Sequence, residues 1–178
     1  MRRCLALVAA VGLLVAVAST STVAAKSEGG HQIRASIEMG YPSVDCPEFP
    51  AEITPPADLQ LGACWQGTIT GGLNGAVAFW ERPQIFLGPN GDRLEHFFEV
   101  FLFRLDGGEW IYGSDSGVWN FSTFKYRAQG WVTAASAGME HLVGWHYFYS
   151  GTTHDASDEG WPFWTDDTVV RMSKAKGG

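Results

Sequence analysis

Apolar and polar residues alternate along most of the chain from Cys64 onward, and glycine-rich or polar turns separate the short runs. A period of two with such breaks predicts antiparallel β-strands and contains no helical period. The clearest stretch is Asp115–Gly144, where aromatic or β-branched residues alternate with small and polar ones. The predicted strands are Cys64–Thr70, Leu73–Glu81, Arg93–Leu105, Glu109–Ser114, Val118–Phe124, Tyr126–Ala135, Met139–Ser150 and Asp166–Ser173.

About eight strands in roughly 110 residues have the spacing of a β-sandwich or a β-barrel. Four glycines fall inside the predicted runs and suit the bends of a small, strongly curved barrel: Gly67, Gly75, Gly130 and Gly144. Closure also removes the exposed edges that such hydrophobic strands would otherwise present. We therefore predict an all-β fold, a closed antiparallel barrel of about eight short strands.

The chain before the barrel divides into two segments. Residues 1–25 have a positive start, an apolar run and a small-residue end, which predicts a signal peptide. Residues 26–62 hold five of the eight prolines and show no period, so we predict an irregular proline-rich arm there. The barrel domain is then residues 63–178.

Cysteine use and charge indicate a compartment and exclude some partners. Cys46 and Cys64 remain after leader removal, and an even pair in an exported chain predicts one disulfide across 17 intervening residues. The leader takes two of the 12 basic residues and none of the 19 acidic ones, which leaves a net charge of −9. Such a chain is unsuited to nucleic acid or to anionic membranes. We predict a secreted or periplasmic protein without a membrane span after leader removal.

Several short motifs carry a family resemblance. They are Gly113–Gly117, Phe121–Phe124, the run Gly130-Trp131-Val132-Thr133, and Leu142-Val143-Gly144. In these motifs the chain resembles the allene oxide cyclase and dirigent-like barrels, over about Trp65 to Gly151. The resemblance implies an eight-stranded barrel with a partly polar cavity, often in a homotrimer, that cyclises or steers small apolar substrates without a cofactor. None of the family's catalytic residues is matched here.

The longest strand, Arg93–Leu105, offers the main candidate for chemistry. One face carries Glu95, Phe97, Glu99, Phe101 and Phe103, and the other carries His96, Phe98, Val100, Leu102 and Arg104. Because both faces are apolar in the middle, the outer face should be covered by the arm or by a neighbouring subunit. If Glu99 lies in an apolar cavity, its pKa rises and suits it for general acid or base catalysis. Alternatively, Glu99 pairs with Lys125 or Arg127. Glu95, near the strand start, should be more solvated.

Other polar residues give weaker candidates for a ligand site. Lys125 and Arg127 either hold a carboxylate ligand or lie on a solvated face. His141 and Tyr147 complete the candidate cavity set, with His141 and His146 on opposite faces of one strand. No zinc, calcium-loop, P-loop or dinucleotide motif is present, so the sequence predicts neither a metal nor a cofactor.

Trp161 and Trp164 flank Pro162 and Phe163 in a polar segment that the alternation predicts to be a loop, Gly151–Thr165. Coplanar, exposed rings there would indicate a carbohydrate-stacking surface. Alternatively, the segment folds over one end of the barrel as a plug, with these rings as its anchor.

Three functions follow from these patterns. The first is an exported barrel that binds a small apolar or aromatic molecule, which requires an interior pocket of about 300 Å³. The second is a cofactor-free isomerase or cyclase with Glu99 as its acid or base. The third is a secreted carbohydrate- or surface-binding module.

Overall fold

The computed structural model describes residues 32–87 and 93–174, so the predicted signal peptide lies outside the described residues. Nine strands form one antiparallel sheet, and its first strand pairs with both the second and the last. The strands are β1 (Gln32–Ser43), β2 (Cys64–Gly71), β3 (Gly75–Leu87), β4 (Arg93–Leu105), β5 (Trp110–Asn120), β6 (Lys125–Ala135), β7 (Trp145–Thr152), β8 (His154–Ala156) and β9 (Trp161–Lys174). Eight of them close the barrel, while β8 pairs with β9 alone. The predicted all-β barrel is confirmed.

The predicted arm needs one correction at its start. Residues 32–43, expected to be irregular, form β1 and close the barrel between β2 and β9. Inward-facing Ala35, Ile37 and Met39 alternate with exposed residues, so the burial pattern has a period of two. The proline-rich remainder, residues 44–63, contains no strand.

Other predicted strand boundaries are also wrong. β3 does not end at Glu81 as predicted but continues through Pro83, because beyond Phe79 this strand pairs with β4 alone and its other side needs no N–H donor. Most of Glu109–Ser114 and the first three residues of Val118–Phe124 belong to one strand, β5, and Phe121–Phe124 form the turn that follows it. Gly113 and Gly117 do not break it, because they leave room for aromatic rings: a Cβ on Gly117 would lie 2.3 Å from the Phe97 ring.

The predicted strand Met139–Ser150 begins instead with a 3₁₀ turn, Glu140–Leu142, and β7 follows it. The predicted loop Gly151–Thr165 contains β8, a second 3₁₀ turn (Ser157–Glu159) and the start of β9. The chain therefore returns to the barrel earlier than the polar composition of this segment indicates.

The barrel interior divides into an apolar half and a polar half. The apolar half is filled by aromatic and aliphatic side chains, including Phe79, Phe101 and Phe103, with ring centroids 5.0–6.3 Å apart. The polar half contains three carboxyl side chains that are at most 6% exposed, those of Glu95, Glu99 and Asp115. It lies toward the barrel end that carries the β5–β6 turn and the β7–β9 connection.

A second apolar cluster lies outside the barrel. Trp80, Val100 and Leu102 point outward from β3 and β4, yet each is at most 4% exposed. Phe49 of the proline-rich segment packs on Trp80, with ring centroids 4.3 Å apart. The arm thus covers the apolar outer face of β4, one of the two coverings that the sequence predicts.

The predicted disulfide is present and joins this segment to the barrel. Cys46 bonds to Cys64, the first residue of β2, with a Cα–Cα distance of 5.9 Å. In the described part of the chain, no helix has the length and apolar character needed to cross a membrane.

Candidate acid-lined site at the barrel mouth

Three acidic residues face one another across neighbouring strands. Glu81 of β3 pairs with Glu99 of β4, and Glu99 pairs with Asp115 of β5. Because paired residues on one face lie about 5 Å apart, the three side chains form a row across the interior wall. We call Glu81, Glu99 and Asp115 the carboxyl row.

A small cavity of about 20 Å³ lies beside this row. Its wall combines aromatic rings with carboxyl and hydroxyl groups, from Met39, Trp65, Glu81, Phe97, Glu99, Trp119, Tyr126, Tyr149 and Thr153. The volume suits a single water and is far below the roughly 300 Å³ that binding of a small apolar or aromatic molecule requires, so this cavity does not meet that requirement as it stands. A larger guest therefore requires neighbouring side chains to move.

Hydrogen bonds orient two members of the carboxyl row. The Tyr149 hydroxyl donates to Glu99 Oε1, and Trp65 Nε1 donates to Glu81 Oε1. Both oxygens of Asp115 lack a hydrogen-bond partner among the described residues. Trp119 Nε1, in the cavity wall, has none either. Trp119 Nε1 is therefore an unused donor that a guest in the cavity would satisfy, whereas Asp115 is not part of the cavity wall.

Burial and mutual repulsion raise the pKa of every member of the carboxyl row. For Glu99 the loss of hydration is the main cause, and the negative charge of Asp115 adds to it. Loss of hydration also raises the pKa of Asp115 and of Glu81 well above the ordinary values. None of the described buried polar side chains in the interior is basic, so no internal cation opposes these shifts.

The tyrosines of the site are held neutral by the same environment. Burial raises the pKa of Tyr126 to about 12, although its hydroxyl lies 3.0 Å from Thr165 Oγ1. Burial also raises the pKa of Tyr149 well above its ordinary value, and the negative charge of Glu99 adds to this. Tyr149 is thus a neutral donor toward Glu99, and proton exchange in this site is left to the carboxyls.

The structure places Glu99, Phe97 and Glu95 in the interior half that the sequence assigns to a cavity. Glu99 and Phe97 line it. Glu95 was expected to be solvated and is only 4% exposed. Burial raises the pKa of Glu95, while the positive charge of Arg93 acts in the opposite direction.

Phe101 and Tyr147 lie in the fully buried interior, outside the cavity wall. Their ring centroids are 4.5 Å apart, and neither side chain is exposed. They support the wall through packing, and the Tyr147 hydroxyl has no partner among the described residues.

Three predicted cavity residues lie elsewhere. Lys125 and Arg127 are exposed on the outer face of β6, because Tyr126 and Ala128 take the inward positions. The alternative pairing of Glu99 with either cation is therefore wrong. His141 lies in an exposed 3₁₀ turn, in which Leu142 is the buried residue.

Trp161 and Trp164 do not form the coplanar pair that carbohydrate stacking requires. Both are partly buried and their rings are tilted by 50°. They pack on the backbone of Gly40, where an added Cβ would lie 2.4 Å from Trp161. The neighbouring Phe163 packs instead on Trp119 in the cavity wall, with ring centroids 5.0 Å apart. The start of β9 thus caps the barrel end, and Phe163 is its inner anchor.

Six residues of the site were not predicted from the sequence, namely Glu81, Asp115, Trp65, Trp119, Tyr126 and Tyr149. Alternation from Val77 and Phe79 places Glu81 on an apolar face, which was an available signal. Asp115 lies between Gly113 and Gly117, a composition typical of a turn, and only the register with Glu99 reveals its role.

Among the described residues, no group of three His, Cys, Asp or Glu side chains has the arrangement of a metal site. Comparison with protein-family models, curated proteins and solved structures gives no match to this chain. The resemblance to allene oxide cyclase and dirigent-like barrels therefore stays a prediction.

Proposed function

We propose that this protein is an exported barrel that binds a small organic cation, an amine with an apolar body, at the acid-lined mouth of the barrel. The observation that carries this proposal is the meeting of aromatic rings and carboxyl groups at one cavity without an internal base. The disulfide supports export, because such bonds persist in oxidising compartments.

The wall chemistry favours a cation over the purely apolar molecule that the sequence suggests. Indole, phenol and phenyl rings attract an ammonium group through their negative faces, and recognition of quaternary ammonium by aromatic cages uses this attraction. Trp65, Trp119 and Phe97 supply such rings, and Glu81 and Glu99 supply acceptors or negative charge. Each of these carboxyls accepts a hydrogen bond, Glu81 from Trp65 and Glu99 from Tyr149, and a purely apolar guest would add no further partner.

Entry of such a guest requires the start of β9, which covers this end of the barrel, to move. The cavity of about 20 Å³ admits only a water-sized body. Phe163 contacts Trp65 and Trp119, with ring centroids 6.5 and 5.0 Å away, so its displacement enlarges the space beside both indoles. A compact ammonium head is therefore favoured over a bulky ligand.

Cation binding should also release protons. Without a guest, the raised pKa of each member of the carboxyl row favours its protonated form over its ionised form. A bound cation stabilises the ionised form, so the affinity should increase as the pH rises.

We expect choline to bind and its neutral isostere, 3,3-dimethyl-1-butanol, to bind at least about tenfold more weakly, since only choline has the charge. Isothermal titration calorimetry at pH 6 and pH 8 measures both, and methylammonium tests a smaller head. Glu81→Gln and Glu99→Gln should weaken choline binding, whereas Glu38→Gln on the outer face of β1 should not. Equal affinity for choline and the isostere, or no binding of any ammonium ion, would contradict the proposal.

A second candidate function uses the same site for proton transfer. Glu99 is buried, oriented by the Tyr149 hydroxyl and adjacent to Asp115, with its pKa raised by loss of hydration. Carboxyl groups in such surroundings serve as general acids or bases near neutral pH. This arrangement favours a cofactor-free isomerase or cyclase that removes a proton next to a carbonyl.

That activity predicts deuterium uptake. Small cyclic and aromatic ketones, incubated with the protein in D₂O, should gain deuterium at the carbon next to the carbonyl faster than in buffer, as measured by mass spectrometry. Glu99→Gln should remove the enhancement and Glu38→Gln should retain it. If uptake is the same with Glu99→Gln, Glu99 is not the base. If choline binds without any uptake, the protein is a binder only.

A further inference from the structure

Charge is partitioned across the wall formed by β4, β5, β6 and β7. The acidic residues of these four strands are Glu95, Glu99 and Asp115, and all three are buried inside the barrel. The basic residues of the same strands are exposed or face outward, namely Arg93, Arg104, Lys125 and Arg127, together with partly buried His96 and His146. The outer surface of this wall is thus free of strand carboxylates on a chain whose net charge is −7.

Two adjoining hollows of about 320 and 360 Å³ run along the outside of β5. Ser116 and Gln129 line both hollows, so they form one groove. The small side chains of Ser114 and Ser116 on β5 form the floor of the groove, and larger side chains of β4 and β6 stand on either side. Asp115 also borders the groove, but its side chain is only 6% exposed and lies on the inward face with Glu99, so the groove opens on the opposite side of the wall from the acid-lined mouth.

Aromatic rings wall the groove on both sides. Phe98 on β4 is 46% exposed and Trp131 on β6 is 49% exposed, which is unusual for large apolar side chains in a well-packed barrel. His146 packs against Trp131 with ring centroids 4.9 Å apart, and His96 packs against Phe98 at 4.8 Å. The imidazoles hold both rings in place at the edge of the groove.

We propose that the outer groove binds an acidic oligosaccharide, such as a chain of uronic acids. A sugar ring would stack on the exposed indole of Trp131, and its hydroxyls would hydrogen-bond to Ser114, Ser116 and Gln129. Arg127, which lines the groove, would pair with a carboxylate, for which its planar guanidinium is suited.

The groove suits this ligand better than nucleic acid or a membrane. Its centre is lined by hydroxyl and amide groups, which can hydrogen-bond to sugar hydroxyls. Against acyl chains the same groups would have no hydrogen-bond partner. A nucleic acid carries a high density of phosphate charge and needs clustered Lys and Arg, while Arg127 is the one guanidinium among the described residues that line the groove. A uronate carries one charge for each ring and matches a site with one arginine and one exposed indole.

The test measures binding of tetragalacturonate and of an uncharged galactose oligomer of the same length, by calorimetry at two salt concentrations. We expect tetragalacturonate to bind more tightly, with weakening at higher salt. Trp131→Ala should reduce its affinity by about tenfold or more, and Arg127→Glu should abolish binding. Arg127→Lys, which keeps the charge, should retain part of the affinity.

Matched controls separate the groove from the rest of the protein. Val44→Ala removes an exposed apolar side chain from the arm, 80% exposed, and should leave the affinity unchanged. Glu99→Gln should also leave the affinity for tetragalacturonate unchanged. Binding in the outer groove can therefore be tested independently of the function of the barrel mouth. Circular dichroism confirms that each variant is folded.

Three results would overturn the proposal. They are equal binding of the charged and uncharged oligomers, full affinity in folded Trp131→Ala and Arg127→Glu, and tighter binding of an oligothymidylate or of anionic phosphatidylglycerol vesicles than of tetragalacturonate.

Discussion

The folded protein should lose stability as the pH rises from about 4.5 toward 8, the reverse of the trend expected for proteins stabilised by ionised carboxylates. Burial raises the pKa of Glu81, Glu99 and Asp115 in the folded state, above ordinary values of 4.5 for Glu and 3.8 for Asp. Between the unfolded and folded pKa values, the folded chain retains protons that the unfolded chain releases. The free energy of unfolding then falls by about 1.4 kcal/mol for each pH unit and each retained proton.

The sign of this effect follows from which state binds more protons. Below the unfolded pKa values both states are protonated, and the stability contribution is fully present. As the pH rises through the raised pKa values, the folded state must either retain protons that the unfolded chain has released or ionise three adjacent carboxyl groups, of which Glu99 and Asp115 are buried. Both alternatives favour unfolding. The ion pair of Arg82 with Asp58 is too exposed, at 49% and 54%, to reverse the trend.

Urea unfolding followed by tryptophan fluorescence, at intervals from pH 4 to pH 8, measures this slope. Glu99→Gln and Asp115→Asn replace a titrating group with a neutral amide, so each should flatten the curve. At pH 4 the free energy of unfolding of each variant should be close to that of wild type. At pH 8 each variant should be more stable than wild type. Glu38→Gln should preserve the wild-type slope. A free energy of unfolding that is flat or increases across this range would show that the carboxyl row does not retain its protons.

The fold could be predicted from sequence because the barrel follows a local pattern. Alternation in Arg93–Leu105 places Glu99 with Phe97 and Phe101 on one face, and the structure has all three inside the barrel. Because both faces of that strand are apolar in the middle, the sequence also predicted that its outer face is covered, and the arm provides this covering. Such patterns depend only on the period of two and on burial.

The partners of Glu99 could not be predicted, because they depend on register between strands. Asp115 and Glu81 become neighbours of Glu99 only when β3, β4 and β5 are aligned. A slip of one residue would have placed Asp115 outside, and no local pattern excludes that slip. Glycines on either side gave Asp115 the composition of a turn, although Gly117 serves to make room for Phe97.

The first strand was missed for a different reason. β1 precedes a segment rich in proline, and composition averaged over residues 26–62 concealed the alternation in residues 32–43. Likewise, the outward positions of Lys125 and Arg127 depend on where β5 ends. β5 ends at Asn120 and β6 begins at Lys125, so the turn between them decides which face of β6 carries Lys125 and Arg127.

Reduction of the Cys46–Cys64 disulfide should lower the free energy of unfolding by about 3 kcal/mol, because it frees a loop of 18 residues in sequence separation. The bond also holds Phe49 over the outer cluster of Trp80, Val100 and Leu102. Release of the arm would expose this apolar surface to water, which adds to the loss.

Urea unfolding with and without reductant measures the change, and the Cys46→Ser/Cys64→Ser double variant is the control that reductant should not affect. Phe49→Ala separates the two contributions, because it weakens the arm's packing and leaves the loop closed. If loop closure dominates, reduction should lower the free energy of unfolding of Phe49→Ala by as much as it lowers that of wild type. If the disulfide acts by holding Phe49 on Trp80, reduction should lower the free energy of unfolding of Phe49→Ala by less than that of wild type. Limited proteolysis should then cut residues 44–63 in both reduced proteins. An unchanged free energy of unfolding on reduction would mean that packing alone holds the arm, since the outer cluster would then remain covered without the covalent bond.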